Sequence, residues 1–214
     1  MNERPAKILQ LPLTEEAVRS LALGDMVHLS GEIVITAGIP THQRIIDYLD
    51  RGETLPIDLT HAAFFHLGSF NQEDADGFKI LYMNPTTSTR FNALMPRLIR
   101  TFGLRAVGGK GGLDRACADA MKEVGCVYLS FLGGGAPILS DAIKRVVTVE
   151  WNDLIAHYRL VKLEVDRLGP LTVAIDAHGN TLYENLQVEA RQKLPEILAE
   201  LDRARAASAK ITRA

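Results

Sequence analysis

The feature that most constrains what this chain can fold into is an alternation of apolar runs and helical stripes over residues 79–132. Lys79-Ile80-Leu81-Tyr82-Met83 reads as a strand. Phe91, Leu94, Met95, Leu98, Ile99 and Phe102 then recur at helical spacing, with Gly103 as the stop. Arg105-Ala106-Val107 is a second strand, and residues 113–124 are a second helix with Ala116, Ala120, Met121 and Val124 on one side. The run Cys126-Val127-Tyr128-Leu129-Ser130-Phe131-Leu132 is nearly all apolar, as a strand covered on both faces is. Strand–helix–strand–helix–strand order implies right-handed crossovers and a parallel core. The expectation is therefore an α/β chain with a parallel-sheet core flanked by helices. Pro96, inside the first stripe, kinks that helix or limits its first turn.

Around this centre the pattern is more mixed. Residues 6–13 form a short apolar arm, and Thr14-Glu15-Glu16 opens a brief helix with a capping hydroxyl and acids in its first turn. From Asp25 the period changes to two: Val27 and Leu29, then Ile33 and Ile35, predict two strands of a bent β unit with glycines at the bends. Pro40 or Thr41 opens a helix with Ile45, Ile46 and Leu49 inward, closed by Gly52. Ala62-Ala63-Phe64-Phe65 reads as a buried strand, and residues 71–77 as an exposed loop. A helix over 136–146 and strands over 147–149 and 160–165 follow. Residues 171–176 are expected to form a hairpin with 181–183. From Glu189 onward an amphipathic helix places Leu194, Ile197, Leu198 and Leu201 on one side.

The bulk numbers exclude several classes. With 214 residues, 47% apolar and 23% charged, the chain reads as one globular domain with appendages, or at most two small ones. A net charge of -2 argues against a nucleic-acid binder. No apolar run has the length of a membrane span, and Met1-Asn2-Glu3-Arg4-Pro5 lacks the apolar core of a signal peptide, so a cytoplasmic location is expected. Cys117 and Cys126 read as small buried hydrophobes, too few to hold an iron–sulfur cluster or structural zinc. His61 and His66, five apart, fall on opposite faces of a strand, and neither reads as a metal ligand.

Two loops carry the candidate chemistry. Pro85-Thr86-Thr87-Ser88-Thr89-Arg90 follows the first strand, and Gly108-Gly109-Lys110-Gly111-Gly112 follows the second. Loops at the carboxyl ends of strands form the ligand crevice of an open α/β sheet. Hydroxyls, free backbone N–H groups and a cation are what an anionic ligand needs. Either Thr87 or Ser88 also suits the role of helix N-cap. His42 and Arg44 occupy the first turns of an earlier helix, where an arginine is electrostatically misplaced unless it meets an anion. A nucleotide P-loop is excluded: Leu104 stands where its first glycine belongs and Gly111 where its hydroxyl belongs.

In order and separation, these elements resemble a known family. The series Gly24-Asp25-x-Val27-x-Leu29-Ser30-Gly31, Thr36-Ala37, His42-x-Arg44, Pro85-Thr86-Thr87-x-x-Arg90, Gly109-Lys110-Gly111, Gly133-Gly134 and Asp176-x-x-Gly179-Asn180 is similar to the β subunit of class I fumarate hydratases and L(+)-tartrate dehydratases. The same unit is the C-terminal domain of single-chain class I fumarases. The resemblance implies a swivelling β/β/α domain over residues 24–186, between an arm with a short helix (1–23) and a C-terminal helix and tail (187–214). It implies a hydro-lyase that adds water reversibly to the double bond of a small dicarboxylate. A partner α subunit would carry a 4Fe–4S cluster, whose open iron acts as Lewis acid. By resemblance Thr86 lies at the reacting carbon with Thr87 in support, Lys110 and Arg90 hold the substrate's carboxylates, and His42 and Arg44 complete the binding set. The family often has Arg-Asp after Ala37, where this chain has Gly38-Ile39. That replacement removes a contact worth roughly 1.5–3 kcal/mol and leaves the substrate open. It also supports a rival reading, a non-catalytic small-carboxylate binding or assembly protein.

Overall fold

The computed structural model describes residues 5–74 and 77–211. One compact unit runs to Asn180 and a second begins at Thr181.

The first unit is a mixed α/β fold. Strand β1 (Lys7–Gln10) is the apolar arm, and helix α1 (Glu15–Arg19) follows, its first turn capped by Thr14 Oγ1, which accepts from the Ala17 N–H at 3.1 Å. The period-two segment after Asp25 is one strand, β2 (Met26–Ile35), not two; its pairing slips on both sides of Leu29, so the bend is absorbed by bulges. Helix α2 (Ile39–Arg51) starts with Pro40 in its first turn and stops at Gly52 in the left-handed region, with Ile45 and Ile46 buried. Strand β3 (Ala63–Phe65) is buried throughout.

The first strand of the alternating stretch belongs elsewhere than expected. It is part of β5 (Gly77–Pro85), which pairs only with β4 (Leu67–Asp74), as an antiparallel ribbon outside the main sheet. Most of the expected loop at 71–77 is thus strand, while residues 75 and 76 lie outside the described residues. Ser88–Phe91 make a single 3₁₀ turn before helix α3 (Met95–Phe102), which has Pro96 in its first turn. There Pro lacks only an N–H that would have no helical partner, so the proline limits the helix rather than kinking it. Strand β6 (Ala106–Gly109), helix α4 (Arg115–Val124) and strand β7 (Val127–Ser130) follow as expected.

Helix α5 (Ala136–Asp141) is shorter than its apolar pattern suggests, because Ile143 onward is strand β8 (Ile143–Glu150). The two strands expected between 160 and 176 are one long strand, β9 (Leu160–Ile175). The expected hairpin after it is absent: the turn at Asp176 leads into helix α6 (Leu182–Ile211), which belongs to the second unit and exposes Leu194, Ile197, Leu198 and Leu201.

The main sheet has the order β1-β2-β3-β6-β7-β9-β8 and closes on itself through an extra β2–β9 pairing. Its β1, β2, β3, β6 and β7 are mutually parallel, whereas β9 runs antiparallel to β2, β7 and β8. Both long strands change partners along their length: β2 meets β1 and then β3 on one edge, and β9 meets β8 and then β7. The closed side buries Leu29, Ile33, Phe65, Leu129, Leu163 and Val173 in one cluster. Alternate residues such as Phe64, Val107 and Tyr128 are also fully buried, which is why these strands read as continuous apolar runs.

Leu163 lies opposite Ile33 on β2 and Val146 on β8, so it ties three strands together. Leu163→Ala is expected to destabilise the chain by about 2–5 kcal/mol, to be measured as a lowered denaturant midpoint with an unchanged slope.

Candidate active site

The loops after β5 and β6 are joined by their backbones. The His66 N–H donates to Gly108 O at 2.7 Å, Thr86 N–H to His66 O at 2.8 Å, Lys110 N–H to Thr86 O at 3.0 Å, and Ser88 N–H to Lys110 O at 2.8 Å. Thr87 and Lys110 thus form a parallel bridge beyond the end of either strand. Such an approach requires glycine at 109. A Cβ there would run into Ser88 Oγ and come within 3.0 Å of both His66 Cβ and Thr86 O.

Thr86, Arg90 and Lys110 share the hollow that results, about 300 Å³ in volume, with Asn84, Tyr82 and His157 also in its wall. Arg90 Nη2 donates to Thr86 Oγ1, and the guanidinium has no carboxylate partner among the described residues. Lys110 Nζ makes no ion pair or hydrogen bond among the described residues, and no Asp or Glu lines the hollow. Two permanent cations held together without counter-charge are the electrostatic imprint of an anionic ligand. A larger hollow of about 530 Å³, lined by Glu32, Arg145, Lys162 and Glu164 among others, lacks this imprint. Its cations are already paired, Lys162 with Glu32 at 2.5 Å and Arg145 with Glu164 at 2.6 Å.

The other three expected residues lie outside the hollow. Thr87 carries the bridge through its backbone and makes no side-chain cap bond. Arg44 turns to Asp153, with paired bonds of 2.9 and 2.7 Å, and lies 5.3 Å over the Trp151 ring. An arginine in the second turn of α2 is thus neutralised by its own chain, and it fastens the helix to the segment after β8. His42 is fully buried, stacked on Phe91 at 4.1 Å, with Nδ1 bonded to the Gly38 carbonyl at 2.7 Å and Nε2 without a partner among the described residues. Burial pushes its pKa down to about 4, against the raising effect of the Gly38 bond.

Beneath the bridged loops lies a set of groups that sequence reasoning missed. His66 is fully buried, and its Nδ1 lies 2.8 Å from Ser88 Oγ, which also accepts from Tyr128 Oη at 2.8 Å. Tyr128 Oη in turn accepts from the Gly112 N–H at 3.3 Å. With the tyrosine proton directed to Ser88, the serine proton goes to His66, whose Nε2–H faces Met95 Sδ at 3.4 Å. Burial, then the proximity of His42 and Arg90, hold the His66 pKa well below its ordinary value. His66 and Tyr128 read as core residues because each stands inside an apolar run, and only the spatial neighbour Ser88 distinguishes them.

No group of three or more His, Cys, Asp or Glu among the described residues is placed to hold a metal. Cys117 and Cys126 are both buried, and burial drives both thiols up, away from the thiolate form that binds metal. This chain's own residues therefore do not fit an iron–sulfur cluster. No helix of the described residues is long and apolar enough to cross a membrane.

Comparison with known proteins gives the chain relatives over most of its length. The family described as fumarase C-terminus matches residues 2–186. A protein of Methanocaldococcus jannaschii with the provisional name L(+)-tartrate dehydratase subunit beta is 36% identical over 187 residues, covering 87% of this chain and 95% of that protein. The L(+)-tartrate dehydratase subunit beta of Escherichia coli K12 is 30% identical over 190 residues, covering 88% and 92%. A protein of Geobacillus stearothermophilus with the provisional name fumarate hydratase class I is 33% identical over 194 residues, covering 90% of this chain and 36% of that protein.

Two outcomes are expected. Ser88→Ala leaves the buried His66 nitrogen and Tyr128 hydroxyl without their shared partner, and a loss of about 1–3 kcal/mol is expected in denaturant unfolding. Folded His42 stays neutral down to about pH 4, whereas the unfolded imidazole takes up its proton near 6.5. Its contribution is therefore fully present above pH 6.5 and is lost as pH falls toward 4, by roughly 3 kcal/mol at 1.36 kcal/mol per unit. Urea midpoints from pH 8 to 4.5 should show that slope, reduced in His42→Leu.

Proposed function

This chain belongs to the fumarase C-terminus family, and from that premise we propose that it is the β subunit of a heteromeric hydro-lyase that adds water to, or removes it from, a small dicarboxylate. Its substrate is of the fumarate/malate or tartrate type, and it works in the cytoplasm on a swivelling β/β/α domain. The names of its relatives support this reading. The observation that carries it is the pair Arg90 and Lys110, unneutralised, in one hollow with the Thr86 hydroxyl.

Elimination beside a carboxylate takes a proton from the neighbouring carbon and builds negative charge on that carboxylate. Arg90 offers it a planar fork of donors and Lys110 a point charge. The bridged backbone brings both side chains to one hollow before substrate arrives, and Arg90 is held there by Thr86, so less reorganisation is needed as charge develops. Thr86 Oγ1 accepts from Arg90, which leaves its O–H proton for the substrate and makes negative charge on the oxygen less costly. That suits Thr86 to proton transfer at the reacting carbon. Thr87, Arg44 and His42 position the site: Thr87 through the bridge, Arg44 through Asp153, and His42 through its stack on Phe91. The 4Fe–4S cluster implied by the resemblance is held by the cysteines of the partner α subunit.

The purified chain alone is expected to be colourless and inactive, and to gain dicarboxylate hydro-lyase activity with its anaerobically reconstituted partner. In that pair Arg90→Ala and Lys110→Ala should each lower kcat/KM by about 10²-fold or more, with unchanged unfolding midpoints. Wild-type rates in either mutant would remove the assignment.

A further inference from the structure

The hollow contains more than its two cations require. Facing Arg90 and Lys110 is the 3₁₀ turn Ala156–Tyr158, which places His157 and Tyr158 in the wall. This turn is anchored to the start of α2: Ala37 N–H donates to His157 O at 3.0 Å, and the hydroxyls of Thr36 and Thr41 both donate to Tyr158 O. It fills the space beside Gly38 so fully that a Cβ there would lie 2.7 Å from Tyr158 Cβ and 2.5 Å from Thr41 Oγ1. Position 38 has no room for a side chain, and the turn that takes its place puts His157 and Tyr158 in the wall of the hollow.

The orientation of that imidazole is fixed. Its Nδ1 lies 2.9 Å from the Ser69 carbonyl oxygen, which can only accept, so Nδ1 carries the proton. Its ring is flanked by Phe70 at 6.3 Å and Tyr82 at 6.0 Å. In the neutral ring Nε2 is then an acceptor, and no protein donor among the described residues is bonded to it. A carboxylate offers no proton to such an atom, whereas a hydroxyl does. We propose that His157 is a specificity-determining residue whose Nε2 accepts a hydrogen bond from the substrate hydroxyl that is not eliminated, so that the hollow prefers a dihydroxy dicarboxylate of the tartrate type to a monohydroxy one of the malate type, whose only hydroxyl is the one lost. The assignment rests on the hydro-lyase reading for its choice of ligand.

Two measurements test it. In the reconstituted pair, the ratio of kcat/KM for L(+)-tartrate to that for malate should fall about ten-fold in His157→Phe, the size of one hydrogen bond. It should recover in part in His157→Gln, whose side-chain carbonyl can accept in place of Nε2. An unchanged ratio, or equal losses on both substrates, would overturn the proposal. Separately, in the ¹⁵N-histidine spectrum of the full chain, the His157 Nε2 resonance should move on adding L(+)-tartrate and not on adding succinate. Movement with both, or with neither, would equally overturn it. If the pair dehydrates no dicarboxylate, the hydro-lyase reading fails while the titration still decides what His157 recognises.

Discussion

Everything at the site depends on the run of four backbone hydrogen bonds that ties the end of β5 to the end of β6. Each is worth only about 1 kcal/mol net, yet together they hold Arg90 and Lys110 at one hollow although like charges repel. Supporting them are the absence of side chains at Gly108 and Gly109 and a buried chain of donors from Gly112 through Tyr128 and Ser88 to His66. The cations gain nothing from each other, and no carboxylate among the described residues pairs with them. A fold that keeps such an arrangement carries local electrostatic conflict, and natural proteins concentrate such conflict where a ligand resolves it.

Much of this was legible in the residues. The stripe from Met95 to Ile99, the capping glycines at 52, 103 and 125, and the continuous apolar character of β7 each report a local physical requirement that no distant contact overrides. Thr86, Arg90 and Lys110 also stand out in the sequence, and the structure brings them to one hollow. Small residues and cations just after strands have few structural uses, so their chemistry stands out.

Tertiary pairing decided the features that were not legible. Residues 79–83 are an apolar run that reads as a strand, and nothing local says that their partner is β4 rather than β6. Gly169-Pro170 reads as a break between strands, yet β9 continues through it because β2 supplies partners on either side, at Leu168 and Leu171. Arg44 looked like a ligand-binding residue because its counter-charge, Asp153, lies 109 positions away. His157 gave no signal, since its segment has neither periodicity nor motif; it acquires meaning only from Ser69, Ala37 and the hollow it faces.

Gly38-Ile39, where the family resemblance expects Arg-Asp, follows from the same geometry. The Ala156–Tyr158 turn and a side chain at position 38 cannot occupy the same space, because the clash is with the Cα and Cβ of Tyr158 rather than with a flexible tip. Two threonine hydroxyls and one backbone bond hold the turn in place. The missing arginine and the imidazole wall are therefore one structural feature, not a loss and a separate gain. An arginine set back at this position would have to expel the turn, and His157 with it, before reaching the hollow. The site thus has an imidazole where a third cation would stand. That exchange favours a ligand with an added hydroxyl over one with only its carboxylates, and it leaves Arg90 and Lys110 to supply all the positive charge that this chain contributes.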